Sequence, residues 1–337
     1  MNLKQIKKVV VLGATGSLGI QALEVLKKYK KYFEVIGLSA NTSGSLLRQQ
    51  AKDWNVPAKN LVLVSHDGPE KLSKLAAMKD ADIVINVISG THGIEASKEV
   101  LKAGKKLLLG NKESLISEGM SLLKMPGKII PIDSEHNAIF EILRKFPKKK
   151  IEKIIIPCSG GPFWKKQKKE LEKVSVKEVL NHPKWKMGPK ISVESATLIN
   201  KGMEVIEAYY LFLQPLRKIE ITIHPECMVH GIVEFTDGEK MAYVSEPSMF
   251  EPIENALLFA AGMKVPTREI RKLKPKEFTF QNPNHEILQG INVVLSVFQK
   301  NPYKMKAFLL QEEQVIQKFL HGKIKFLEIF SALQPQA

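Results

Sequence analysis

Apolar residues along the chain follow two rhythms. Short, nearly unbroken apolar runs within Val9–Leu12, Phe33–Leu38, Leu61–Val64, Asp82–Ile88, Lys106–Leu109 and Lys128–Ile132 read as buried strands. Between them, Ile20–Tyr29, Pro69–Ala77, Ile94–Ala103 and Ser114–Leu123 repeat apolar residues every three or four positions, as amphipathic helices do. This alternation predicts an α/β domain with a Rossmann-like, doubly wound parallel sheet. Past residue 147 the rhythm changes. Ile219–Ile223, Met228–Phe235 and Lys240–Ser245 read as strands, the last two joined through Thr236-Asp237-Gly238, a hairpin signal. A mostly antiparallel sheet in an α+β domain is expected there. Ser192–Ala208 reads as one helix, and residues 264–283, charged and punctuated by prolines, as a linker. Ile287–Phe298, Met305–Leu320 and Phe326–Leu333 predict a small C-terminal helical domain. The expected boundaries are 1–131, 132–263, the linker over 264–283, and 284–337.

Chemistry enters at the strand ends. Val9–Leu12 runs straight into Gly13-Ala14-Thr15-Gly16-Ser17-Leu18-Gly19 and then a helix, the opening of a dinucleotide-binding unit. Its glycines let the backbone turn tightly and approach a pyrophosphate at the helix N-terminus. After the second strand, Ser39-Ala40-Asn41-Thr42-Ser43 lacks the Asp or Glu that holds a ribose 2′-hydroxyl in NAD sites, which leans toward NADP. No Arg or Lys stands at that tip, and Arg48 lies further along the following helix.

The stretch Ile129–Phe140 places Asp133 and Glu135 where a strand becomes a helix. Two carboxylates there are hard oxygen ligands for Mg²⁺ or Mn²⁺, or simply acids favoured by a helix N-terminus. Lys112 beside Glu113 is either a solvated pair or a cation facing a substrate oxygen. The turn Pro157-Cys158-Ser159-Gly160-Gly161-Pro162-Phe163 is rich in backbone donors that suit a phosphate. A Lys-rich segment then reaches His182-Pro183-Lys184-Trp185-Lys186-Met187-Gly188, read as a mobile lid (about 159–189) or as a linker whose Trp docks on the core. On the expected helix, Thr197, Asn200, Lys201 and Glu204 share one side, either a solvated face or a site. Gly202 in that helix marks a place where backbone or ligand comes close.

Composition narrows the classes. Fifty-one basic against 35 acidic residues give a net charge of +16, which suits anionic ligands. The Lys runs at 148–150 and 165–169 lack interleaved aromatics, which argues against nucleic-acid binding. Two cysteines make no disulfide framework or CxxC site, as expected of a reducing cytoplasm. Neither a signal segment nor a stretch of membrane-spanning length is found, so no membrane partner and a cytoplasmic location are expected.

Five pieces in this order resemble the 1-deoxy-D-xylulose-5-phosphate reductoisomerase family: Gly13–Gly19, Gly110–Ser114, Pro131–Phe140, Ser159–Phe163 and His182–Ala208. The resemblance implies rearrangement of 1-deoxy-D-xylulose 5-phosphate and NADPH-dependent reduction to 2-C-methyl-D-erythritol 4-phosphate, for isoprenoid synthesis. It implies a phosphorylated small-molecule substrate, Mg²⁺ or Mn²⁺ (Co²⁺ as a further option), and a homodimer. Asp133, Glu135 and Glu204 match the metal carboxylates, which with Lys112 and His182 form the catalytic set. Ser134 lies at the substrate; Ser159, Ser195, Asn200 and Lys201 match the phosphate pocket; His182, Trp185 and Met187 match the closing lid. Gly13, Thr15, Gly16, Ser17, Leu18, Asn41, Thr42, Ser43, Asn111, Glu113 and Gly188 are the expected cofactor contacts. Thr42 stands where the family often has Lys or Arg, Pro189 replaces a usual basic residue, and the last helix of most members is missing. Another NADP-dependent, metal-assisted sugar-phosphate reductase is the alternative reading.

Overall fold

The computed structural model describes residues 5–181, 188–274, 276–283 and 288–334. The chain forms two compact units, Met1–Asn137 with Ser248–Thr267, and Ala138–Pro247 with Arg268–Ala337.

In the first unit, β1 (Lys7–Leu12), β2 (Phe33–Ala40), β3 (Leu61–Leu63), β4 (Ile83–Asn86), β5 (Lys106–Leu109) and β6 (Lys128–Pro131) form one sheet. Its order is β3-β2-β1-β4-β5-β6, and every pairing is parallel. Val9, Val10 and Val11 are fully buried, as a strand covered on both faces requires. Helices Ser17–Lys28, Gly44–Trp54 and Ile94–Lys102 follow their strands. The expected Ser114–Leu123 helix is instead two, Lys112–Glu118 and Met120–Leu123, separated by Gly119 at φ 55°. That left-handed turn is where glycine is favoured.

One element joins this unit from far along the sequence. Helix Phe250–Ala260 presents Ile253, Ala256, Leu257 and Ala260 to the core formed by β1, β2 and their helices. These positions are i, i+3, i+4 and i+7, one face of a helix. Buried Glu254 on the same helix accepts from Lys28 Nζ (2.6 Å) and Tyr29 Oη (2.7 Å). Sequence reading assigns residues 250–263 to the second domain; packing assigns this helix to the first unit.

The second unit holds β7 (Ile151–Cys158), β8 (Ile219–Ile223), β9 (Val229–Phe235), β10 (Lys240–Val244) and β11 (Glu269–Arg271), in the order β11-β10-β9-β7-β8. Only β7 and β8 pair in parallel, so the sheet is mostly antiparallel. The stretch expected as a linker contains β11, and Gln281 forms a bridge to Ile223, so this segment is built into the sheet. Pro266 and Pro283 lie outside the paired residues, compatible with an edge strand.

The expected Ser192–Ala208 helix is broken. Pro189–Ala196 and Ile199–Phe212 are separate helices, because Leu198 is left-handed at φ 56°. Helix Leu288–Lys300 packs over the break so closely that a Cβ at Gly290 would overlap the Thr197 carbonyl oxygen. At Gly202 a Cβ would lie 2.9 Å from Val294 Cβ and 3.2 Å from Ile291 Cα, so close approach of the neighbouring helix accounts for this glycine. Tail helices Met305–Leu320 and Glu328–Leu333 complete the unit, and Phe326 meets Phe163 edge-on at 5.3 Å.

Candidate active site

The glycine turn in the first unit is shaped by contacts a side chain would prevent. Gly13 has φ 86°, and a Cβ there would come within 3.0 Å of the Val87 carbonyl. At Gly19 a Cβ would overlap the Gly13 carbonyl, so the first helix starts hard against the turn. Gly13 N–H donates to Ser39 Oγ (3.1 Å) and Ala14 N–H to Ser39 O (2.8 Å), fixing the end of β2 beside the turn. Thr15 and Leu18 are half-buried, Gly16 and Ser17 exposed, and Asn41, Thr42 and Ser43 lie exposed at the tip of β2.

Asn111 and Glu113 have a different environment from the one a simple cofactor contact suggests. Both are buried. Asn111 Nδ2 donates to Ile88 O (2.8 Å) and Gly90 O (2.7 Å), while Gly90 N–H donates to Glu113 Oε1 (2.9 Å). These bonds hold the loops after β4 and β5 together. The solvated-pair reading of Lys112 and Glu113 is overturned: Lys112 is buried, and its Nζ lies 2.5 Å from Asp133 Oδ2. β5 and β6 are neighbours, so a residue just beyond one strand faces a residue just beyond the other.

Burial acts to raise the Asp133 carboxyl, but the Lys112 ammonium, His136 and a hydrogen bond with Glu135 hold it well below the usual carboxylate range. His136 is fully buried, with Nδ1 3.9 Å from Asp133 Oδ1. Ser134 Oγ donates to Glu135 Oε2 at 2.5 Å. Carboxylate oxygens of Asp133 and Glu135 lie within 4.8 Å of each other. Two carboxylates this close at a strand end are hard oxygen donors that suit a divalent cation such as Mg²⁺ or Mn²⁺.

Below this pair is a residue that the sequence reading does not pick out. Asn255, buried on helix Phe250–Ala260, donates from Nδ2 to Asn137 Oδ1 (3.0 Å), and Asn137 Nδ2 donates to Pro131 O (3.0 Å). Asn137 N–H also donates to Asp133 O (2.8 Å), so the brace ends at the carboxylate's own backbone. The available signal is an amide in a largely buried helix, where an unpaired polar group would be penalised.

The second unit assembles its candidates around the broken helix. Ser159 starts a turn in which Gly160 and Gly161 have φ 82° and 67°. A Cβ on Gly161 would fall 2.9 Å from Ser195 O, which places the Ser159 turn against Ser195. Lys201 is buried; its Nζ donates to Pro157 O (3.0 Å) and Glu204 Oε2 (2.5 Å). Asn200 Nδ2 donates to Glu204 Oε1 (2.5 Å). Asn200, Lys201 and Glu204 thus form one group at the start of the second helix. Thr197 does not join them: it sits in the break, fully buried, with Oγ1 donating to Val193 O (2.8 Å). The solvated-face reading fails because Glu204 is 1 % and Lys201 4 % exposed.

Beside Ser195, Glu194 pairs with Lys190, and Lys190 Nζ is 3.1 Å from Oε2 of fully buried Glu312. Burial and the neighbouring Glu194 carboxylate raise the Glu312 carboxyl well above its ordinary value, against the pull of Lys190. Gly188 caps the Pro189–Ala196 helix, its carbonyl accepting from Ser192 N–H (3.1 Å). His182, Trp185 and Met187 lie outside the described residues.

A parallel sheet whose first strand opens on a glycine turn, with no acidic residue on the next strand tip, defines a dinucleotide-dependent oxidoreductase with a separate substrate unit. Comparison with known proteins makes this specific. The family model for 1-deoxy-D-xylulose 5-phosphate reductoisomerase matches residues 9–119, and two models for C-terminal domains of that enzyme match 129–212 and 244–335. The reductoisomerase of Thermodesulfovibrio yellowstonii is 38% identical over 97% of this chain and 91% of its own length. That of Aquifex aeolicus is 34% identical over 97% and 89%. The structure of the Zymomonas mobilis enzyme in complex with NADPH superposes at a TM-score of 0.83, with 30% identity, covering 99% of this chain and 94% of the other. A further reductoisomerase structure, with NADPH, fosmidomycin and magnesium, gives 0.83 at 28% identity over 98% and 90%. The chain belongs to the 1-deoxy-D-xylulose 5-phosphate reductoisomerase family.

Proposed function

We propose that this chain rearranges 1-deoxy-D-xylulose 5-phosphate and reduces the product with NADPH, yielding 2-C-methyl-D-erythritol 4-phosphate for the non-mevalonate route to isoprenoids. The carrying observation is similarity to the reductoisomerases over 97% of the chain and 91% of the relative's own length. The glycine turn fits a dinucleotide, since its backbone is open where Gly16 and Ser17 are exposed. Relatives whose structures hold NADPH and magnesium support the same pair here.

Asp133, Glu135 and Glu204 are the proposed metal ligands, with Mg²⁺ or Mn²⁺ as the cation. When bound, such an ion stabilises negative charge developing on substrate oxygens. Lys112, within hydrogen-bond reach of Asp133, keeps that carboxylate ionised and in place, and Ser134 orients Glu135. Ser159, Ser195, Asn200 and Lys201 hold the substrate phosphate, whose binding energy positions the reacting carbons. His182, Trp185 and Met187 are proposed to close over the substrate and exclude water. Asn41, Thr42, Ser43, Asn111, Glu113 and Gly188 are proposed to position the nicotinamide dinucleotide.

Among the described residues no helix is long and apolar enough to cross a membrane, in line with a proposed cytoplasmic location. The proposed homodimer has a candidate surface on the second sheet, a groove lined by Ile155, Ile232 and Phe280 together with Glu220, Glu239 and Lys240. Light scattering tests it: a monomeric mass at micromolar concentration rejects the dimer.

Purified protein with Mn²⁺, NADPH and 1-deoxy-D-xylulose 5-phosphate is expected to consume NADPH and give one equivalent of the methylerythritol phosphate. Inertness toward this substrate, with NADPH consumption on another sugar phosphate, would establish the alternative reductase.

A further inference from the structure

The tip of β2 is where a dinucleotide's adenosine ribose is read, and an NAD site places an acid there. This chain has no acidic residue between Glu34 and Asp53. Ser39, at the end of β2, is buried and gives its Oγ to Gly13 N–H. The nearest acid on the adjoining segment, Asp67, is occupied by Lys71 Nζ (2.9 Å) and Leu63 N–H (2.8 Å). No carboxylate at the tip is set to accept from a 2′-hydroxyl.

A cation is present instead, though one turn later than sequence position suggests. Long helical side chains lie back over the preceding turn. Arg48 does so: its Nη1 is 3.3 Å from where a Cβ on Gly44 would stand. Glycine at 44 therefore leaves space for the guanidinium at the very start of the helix, directly after Thr42 and Ser43. Arg48 is exposed and makes no hydrogen bond or ion pair among the described residues. By contrast Arg144 and Arg271 are tied to Glu141 and Glu277. Between Glu34 and Lys52, Arg48 is the one charged side chain.

We propose that Arg48 is the residue that reads the 2′-phosphate of NADPH, taking the role that position 42 leaves to an uncharged threonine. The hydroxyls of Thr42 and Ser43 are the neutral donors beside it. Guanidinium suits this task because its planar fork matches a phosphate with two parallel hydrogen bonds. Selection for NADPH over NADH then rests on a side chain carried by the helix, not by the strand tip.

This inference rests on the reading that the first unit binds a dinucleotide, and the test separates the two. Binding of NADPH and of NADH to the full chain is measured by nucleotide fluorescence, with no substrate present. The wild type is expected to prefer NADPH. Arg48→Met, which keeps the apolar stem, is expected to weaken NADPH binding about ten- to a hundredfold while leaving NADH unchanged. Arg48→Lys should restore part of the loss, and the wild-type preference should shrink as salt is raised. An unchanged NADPH-to-NADH ratio in Arg48→Met overturns the role of Arg48. Failure of the folded wild type to bind either nucleotide overturns the dinucleotide reading itself.

Discussion

Both units set a lysine against a carboxylate, but they assemble the pair differently. In the first, Lys112 and Asp133 lie just beyond adjacent parallel strands, β5 and β6, and meet because the sheet places those strand ends side by side. In the second, Lys201 and Glu204 are three residues apart on one helix and would pair in any helix. What makes the second pair special is its burial, which depends on the break at Leu198 and on a distant helix pressed against that break. The first pair is a product of topology; the second is local in its partners and long-range in its environment. The same chemistry therefore has different vulnerabilities in the two units.

Loss of Glu204 is expected to have the largest effect. Glu204→Gln should lower turnover at saturating Mn²⁺ by about a thousandfold or more, because several kcal/mol of charge stabilisation is removed. Burial changes what else to expect: the variant leaves Lys201 without its counter-charge, so stability should also fall, by about 3 kcal/mol. Steady-state kinetics and urea unfolding together check this. If turnover is unchanged across Mn²⁺ concentrations, Glu204 is not a metal ligand.

Gly290→Ala isolates the long-range half of the comparison. Its new methyl meets the Thr197 carbonyl, so stability should fall by about 3 kcal/mol with no charge altered. A loss below about 0.5 kcal/mol in chemical denaturation would show that the break does not depend on the helix above it.

Glu312 distinguishes the units by pH. Its folded carboxyl is raised, so between its ordinary value of 4.5 and the folded value the folded chain holds a proton that the unfolded chain has lost. Stability from this group is fully present below the unfolded value and declines as pH rises, by at most about 1.4 kcal/mol per pH unit. Glu312→Gln should flatten that decline in unfolding midpoints measured from pH 5 to 8. Asp133 has the opposite sign: its stabilisation is present above its ordinary value of 3.8 and is lost as pH falls below it. Equal pH slopes in the wild type and the glutamine variant would remove Glu312 as the cause.

Ser195→Ala should have the smallest effect, weakening phosphate-dependent substrate binding about tenfold, the worth of one hydrogen bond to a charged group. A KM change with kcat retained is the expected signature.

Much of the first unit was legible because strands covered on both faces are continuous in apolar character and glycine turns punctuate them. Helix Phe250–Ala260 was not read from the sequence, and nothing local says that it packs with residues some two hundred positions earlier. In the second unit, Asn200, Lys201 and Glu204 could be grouped by spacing, whereas the Leu198 break could not be read: leucine gives no warning of a left-handed backbone. Arg48 was visible as a residue, but counting along the chain does not show that its side chain reaches back to Gly44. Asn255 carried only the faint mark of an amide in a largely buried helix.

The edge-on contact between Phe163 and Phe326 bears on when the protein can be completed during synthesis. A ribosome makes the Ser159–Phe163 turn first and reaches Phe326 about half the chain later, a delay of roughly ten to thirty seconds at ordinary elongation rates. For that interval Phe163 lacks the ring that packs on it in the finished protein. A product truncated before Phe326 would keep every proposed metal and phosphate ligand and still leave that ring uncovered, a ready mark for a chaperone or a protease.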